Sequence, residues 1–227
     1  MSNVVAPQRP WGLIAAAVAV LVFAGAVLTY AVLQVNAAEA SRVDSVDEIG
    51  GVQTFDYAAG QEHVTTPVEY EQSPPVGGPH DGEWADCTGT VYDVAIRPEN
   101  AVHSMEHGAV WITYDPEVVT GDALDTLIDV VGESGRMLSP NPGQDPPISL
   151  QSWNHQLKVD SADDPRIRQY ADLLTYNGEF FPEPGASCEN PQFISAPLTV
   201  DDVSRGAAAT PTDAPTSPTA GTETGAP

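Results

Sequence analysis

The chain has 227 residues, 41% of them hydrophobic, which is enough for one domain of ordinary size once non-globular ends are set aside. Its 32 acids against 8 bases give a net charge of −24, with Lys158 as the single lysine. A surface of that sign repels phosphate backbones and anionic headgroups, so no nucleic-acid partner is expected.

In chain order, the first feature is an uncharged run from Pro10 to Ala38. Its core, WGLIAAAVAVLVFAGAVLTYAVL, exceeds the ~20 apolar residues that cross a bilayer, and predicts a transmembrane helix over 11–35. A cleaved signal peptide is the rival reading, because VNAAEA supplies small residues of the kind a signal peptidase accepts. The run is longer than the ~7–15 residues of a signal h-region, which favours an uncleaved anchor. Arg9 precedes the helix, whereas Glu39, Asp44, Asp47 and Glu48 follow it with only Arg42 between them. The positive-inside rule then puts residues 1–10 in the cytoplasm and the chain beyond a 36–49 linker outside the cell membrane.

Residues 50–203 carry a mixed pattern. GVQTFDY predicts a short strand, and YEQSPPVGGPHDGEW an irregular loop broken by Pro and Gly. AVWITYD, β-branched and aromatic, is the strongest strand signal. GDALDTLIDVVGESG places Leu124, Leu127, Ile128 and Val131 on one helical face, with a start near Asp122 and stops at Gly132 and Gly135. RMLSP and ISLQSWNHQLKV predict two further strands, and DDPRIRQYADLLTYNG a helix with an Asp cap and Pro165 in its first turn. Strands and helices mix without regular alternation. The expected class is therefore α+β, a single extracytoplasmic domain with a mixed or mainly antiparallel sheet behind one transmembrane helix. Residues 204–227, rich in Thr, Pro and Ala with no large apolar residue, predict a disordered tail.

Cys87 and Cys188 are the only cysteines, an even pair in a chain expected to face an oxidising compartment, so one disulfide between them is expected. There is no C-x-x-C to suggest a redox pair or a thiolate metal site.

The densest chemistry lies in PENAVHSMEHGAVWITYDP, where His103, Met105, Glu106 and His107 fall within five positions. This stretch, with YEQSPPVGGPHDGEWADCTGTVYD, MLSPNPGQDPPISLQSW and EPGASCENP, resembles the family catalogued as domain of unknown function 3105, over about residues 65–192. The resemblance implies a membrane-anchored or exported bacterial protein with Pro-His and His-x-x-Glu-His-Gly motifs. It implies no activity.

Imidazole is the commonest transition-metal ligand near neutral pH, and His103 and His107, four apart, share a face in either a helix or a strand. In a strand Met105 joins them, giving a set suited to copper; in a helix it points elsewhere. His80 on the Pro-His loop offers a third nitrogen, and Glu106 an oxygen ligand or a partner that fixes a tautomer. The leading expectation is one bound copper or zinc ion, copper before zinc, in metal handling or support of a membrane complex. The partners would be the membrane and another envelope protein. A metal-free structural or interaction module is the alternative, with the histidines knitting loop to sheet. A small zinc hydrolase is a third, because His103 to His107 spell H-x-x-E-H. That pattern needs a helix of several turns, and Gly108 followed by AVWITYD predicts only one short turn before a strand. No nucleophile–base set stands out. His63 and His155 are expected to be surface or packing residues, and Trp84 and Trp153 to wall the core beside Tyr92 and Tyr114.

Overall fold

The computed structural model describes residues 11–58, 62–132 and 134–204. The cytoplasmic placement of 1–10 and, apart from Ser204, the tail expected over 204–227 lie outside the described residues. The chain divides into two compact units, Met1–Glu48 and Ile49–Pro227. The first holds helix α1 (Trp11–Ser41), whose Trp11–Val35 stretch is long and apolar enough to cross a membrane. Its large apolar side chains, Leu21 and Phe23 among them, are exposed all along the helix. Apolar surface of that extent is at home in a bilayer.

The second unit is built on one six-stranded sheet of order β1-β6-β5-β3-β4-β2. Its strands are β1 (Gln53–Thr54), β2 (Thr88–Val91), β3 (Val110–Tyr114), β4 (Arg136–Pro140), β5 (Ile148–Ser152) and β6 (His155–Val159). Strand β4 runs parallel to β2 and β3, whereas β3–β5, β5–β6 and β6–β1 are antiparallel. The class is α+β with a mixed sheet. Helices α2 (Pro98–Glu106), α3 (Asp122–Val131), α4 (Pro165–Leu174) and α5 (Pro191–Ser195) complete it.

The central strand β3 is buried along its whole length, so the sheet is covered on both faces there. On one face Trp111 and its neighbour Met137 pack with Ala101, Val102 and Met105 of α2, and with Ala85, Tyr92 and Phe193. Strand alternation sends Ile112 and Leu138, both fully buried, to the opposite face. The β3–α3–β4 unit is a parallel crossover, with α3 packed on β4 and α4 on β5. Asp164 caps α4 by accepting a hydrogen bond from the Arg166 amide, as the Asp-Pro opening predicts.

Two local expectations are corrected. ISLQSWNHQLKV is a hairpin and not one strand: it turns at Trp153–Asn154, where Asn154 takes φ 64°, a left-handed conformation Asn tolerates better than most residues. The segment before AVWITYD is a helix of nine residues and not a single short turn. Pro98 stands in its first turn with Glu99 beside it, and the apolar face of Ala101, Val102 and Met105 gives it a core to bind.

Cys87 and Cys188 form a disulfide that joins the start of β2 to the segment before α5. The Cys87 amide also donates to the Cys188 carbonyl at 3.0 Å. Gly108 ends α2 at φ 95°, and a Cβ there would stand 2.8 Å from the Phe181 ring. Both the backbone and the ring forbid a side chain at this corner. Gly108→Ala is expected to cost more than about 1 kcal/mol of stability, read as a lowered midpoint in chemical denaturation; an unchanged midpoint would show that Phe181 moves freely.

Candidate metal centre

Helix α2 decides which side chains meet. At 3.6 residues per turn, positions 101, 102 and 105 face the core, while 103, 106 and 107 share the other face. His103, Glu106 and His107 therefore point together. Met105, fully buried in the core cluster, does not follow the strand geometry that would have set its thioether beside the imidazoles. The rings of His103 and His107 lie with centroids 4.6 Å apart, edge to face.

His80 arrives from the Pro-His loop, and with it His63. These two residues form an isolated parallel bridge, in which the Val64 amide donates to the His80 carbonyl at 2.7 Å. The His63 ring lies 4.9 Å from His103, stacked, and 5.0 Å from His80; His80 and His103 are also 5.0 Å apart. The Trp84 indole leans over both His103 and His107, at 5.7 and 5.1 Å, and Trp153 meets His80 edge-on at 6.1 Å.

Each buried imidazole of the cluster bonds a backbone carbonyl through Nδ1. His80 bonds Gly78 at 2.9 Å, His103 bonds Asp81 at 2.6 Å and His107 bonds Ser187 at 2.7 Å. A carbonyl only accepts, so Nδ1 carries the proton in all three. In the neutral ring Nε2 is then left with its lone pair, the arrangement in which a histidine ligates a metal.

What surrounds the Nε2 atoms is acidic or imidazole. His80 Nε2 stands 2.8 Å from Glu106 Oε2, a carboxylate that favours a proton on that nitrogen, one that a bound cation would displace. His107 Nε2 is 3.6 Å from Glu183 Oε2, on a carboxylate 48% exposed. Two overlapping sets result, in each of which one ligand atom per residue lies within 4.8 Å of the others: His63, His80, His103 and Glu106; and His103, His107 and Glu183.

The carbonyls that aim the rings are themselves tied down. Arg97, buried, donates to Asp81 Oδ2 at 2.7 Å and reaches Glu99 Oε2 at 3.1 Å; Glu99 in turn accepts from the Val68 amide. That network fixes the loop whose Asp81 carbonyl holds His103. Ser187, which holds His107, precedes the disulfide directly, and the Asn190 amide beyond it bonds Asp86 Oδ2. Ser104 Oγ ties α2 to the Ala85 carbonyl.

Of the residues singled out in the sequence, His80, His103, Glu106 and His107 come together. Two residues the sequence does not mark join them: His63, exposed as expected of a surface residue, and Glu183. His63 sits in a polar stretch without a motif, and only its backbone pairing with His80 brings it in. Glu183 follows Pro182 in a loop among many acids, with nothing in the sequence to mark it. His155 is a packing residue as expected, buried with Nδ1 on the Trp153 carbonyl and its ring against Phe180.

Burial holds His103 down to about 4, against the opposing pull of its Asp81 bond, and the neighbouring imidazoles push the same way. Burial likewise lowers His107 and His155. Burial also works against a charged His80, but the Glu106 carboxylate and the Gly78 carbonyl outweigh it and leave its pKa raised. For a lowered histidine the unfolded chain takes up its proton first as pH falls, so stability is lost between the ordinary value of ~6.5 and the folded one. For His80 the sign is reversed: its contribution is present below ~6.5 and lost as pH rises through its folded value. Three groups against one set the direction. The melting temperature of the metal-free protein is expected to fall from pH 7 to pH 5, and His103→Gln to flatten that slope. A rise over the same interval would mean that His80 dominates.

No curated protein and no solved structure matches this chain. The family described as Protein of unknown function (DUF3105) matches residues 63–190, a span that begins at His63 and takes in both cysteines, Glu183 and the rest of the histidine cluster. Covering more than half of the 227 residues, this match shows that the chain belongs to the DUF3105 family.

Proposed function

We propose that this is a membrane-anchored extracytoplasmic protein that binds one transition-metal ion through Nε2 of His80 and His103, with Glu106 and His63 completing the set. The observation that carries this reading is the set of Nδ1 bonds to carbonyls, which commits those atoms and leaves Nε2 of each clustered buried ring as its metal-binding nitrogen. Gathering imidazoles away from water beside a carboxylate costs solvation that a cation would repay. The donor set is nitrogen and oxygen, Met105 being in the core. Such a set suits Cu(II) and Zn(II), and copper binds the tighter of the two by the general order of divalent affinities. The role would be metal handling or support of a membrane complex, with α1 as the anchor.

A zinc hydrolase has two observations in its favour: H-x-x-E-H lies on α2 and its C-cap residue His107, and His103, His107 and Glu183 form a two-histidine, one-carboxylate set. The glutamate that would act as base argues against it. Glu106 is 1% exposed and engaged with His80, so it has no access to a water on an ion held by the other three. In a metal-free structural module the same carbonyl bonds would pin loops to α2, and the fold would not respond to metal.

The test is titration of the full chain in detergent, disulfide intact, with Cu(II) and Zn(II) against competing chelators. One ion per chain is expected, copper bound the more tightly, and His80→Ala or His103→Ala should weaken binding by more than about 100-fold. Affinity no better than that of scattered surface histidines would sink the metal reading and leave the structural one.

A further inference from the structure

The two ligand sets meet at His103, and that shared residue has only one nitrogen to give. Its Nδ1 is committed to the Asp81 carbonyl, so Nε2 is the sole donor available to either set. An imidazole nitrogen has a single lone pair and holds one metal at a time. Resting on the metal reading above, we infer that the centre has two mutually exclusive ion positions sharing His103: an inner one with His80, Glu106 and His63, and an outer one with His107 and Glu183.

The positions differ in ways that give them different roles. The inner set has four members, of which His80 and Glu106 are essentially inaccessible to solvent and His63 is exposed. The outer set has three, one being the half-exposed Glu183 carboxylate. One more donor, and three buried ones against two, favour the inner position at equilibrium. His107 and His103, one helical turn apart with touching rings, let an ion change partners without release to bulk solvent. The Trp84 indole covers both rings from one side. An ion at the outer position keeps room for an incoming ligand, so the outer set is the place where an acceptor could take it. The chemical class of cargo is a divalent transition ion that accepts both N3O and N2O sets, with Cu(II) and Zn(II) as the members to test.

The experiment removes the inner position and asks what is left. With the full chain in detergent and Cu(II) as probe, wild type should load one ion. His80→Ala, or His80→Asn where the amide is needed to keep a donor on the Gly78 carbonyl, should still load one ion at lower affinity, with fewer nitrogen couplings in its electron paramagnetic resonance spectrum. Adding Glu183→Ala should weaken binding at least tenfold more in the His80 variant than in the wild-type background, circular dichroism confirming the fold of each. Two ions in wild type, no residual site in the His80 variant, or an equal Glu183 effect in both backgrounds would each overturn the two-position arrangement while leaving a single metal site standing. Absence of any tight Cu(II) or Zn(II) binding in wild type would instead remove the metal reading itself.

Discussion

An imidazole taken out of water has two nitrogens to satisfy, and when a main-chain carbonyl stands beside one of them that nitrogen must carry a proton. The carbonyl has no proton to offer, so the ring must supply it. Three rings of this cluster are settled in that way, by Gly78, Asp81 and Ser187. Burial, which keeps His103 and His107 neutral, reinforces the choice, because a neutral ring with its proton on Nδ1 has its lone pair on Nε2. The direction of those lone pairs therefore depends on where three loop carbonyls sit.

The surrounding structure fixes those carbonyls by different means. Gly78 lies in a turn at φ 103° packed against the rings of Tyr57 and Tyr70, and Tyr70 donates to the next carbonyl, that of Pro79. Asp81 is clamped by the Arg97 guanidinium, itself braced by Glu99. Ser187 is held by its covalent neighbour, the Cys87–Cys188 disulfide. A glycine turn, a buried ion-pair network and a crosslink converge on one helix face. That α2 supplies the face follows from the core, because Ala101, Val102 and Met105 anchor the helix from the other side.

How much of this could be read in the letters varies with how local the cause is. The apolar span of α1, strand β3 and the capped start of α4 follow from short-range pattern, and each stands where the pattern puts it. Helix α2 was underestimated because Gly108 and the β-branched run after it are strong stop signals, while the force that extends the helix backward is tertiary packing of Met105 and Val102. The Asn154 turn hid inside an otherwise strand-like run because Asn marks a turn only weakly without a following glycine. His63 and Glu183 reach the cluster through backbone pairing and loop closure, events with no sequence period. The H-S-M-E-H string supplies three members of the cluster. Its methionine was misleading until the helical period excluded it.

Because the rings are aimed by main-chain oxygens, the orientation of the cluster is largely insulated from the identity of the side chains that carry those oxygens. Ser187 uses its carbonyl to hold His107, and any residue that leaves the disulfide loop undisturbed would present the same acceptor. Asp81 is different, since its carboxylate is what Arg97 grips, and Gly78 is constrained by its backbone angle. Sequence drift around the centre is thus permitted in some places and forbidden in others. The map of tolerated change should follow the main chain's supports, so a sequence lacking the serine could keep the centre whole, whereas one lacking Arg97 could keep every histidine and still misdirect them.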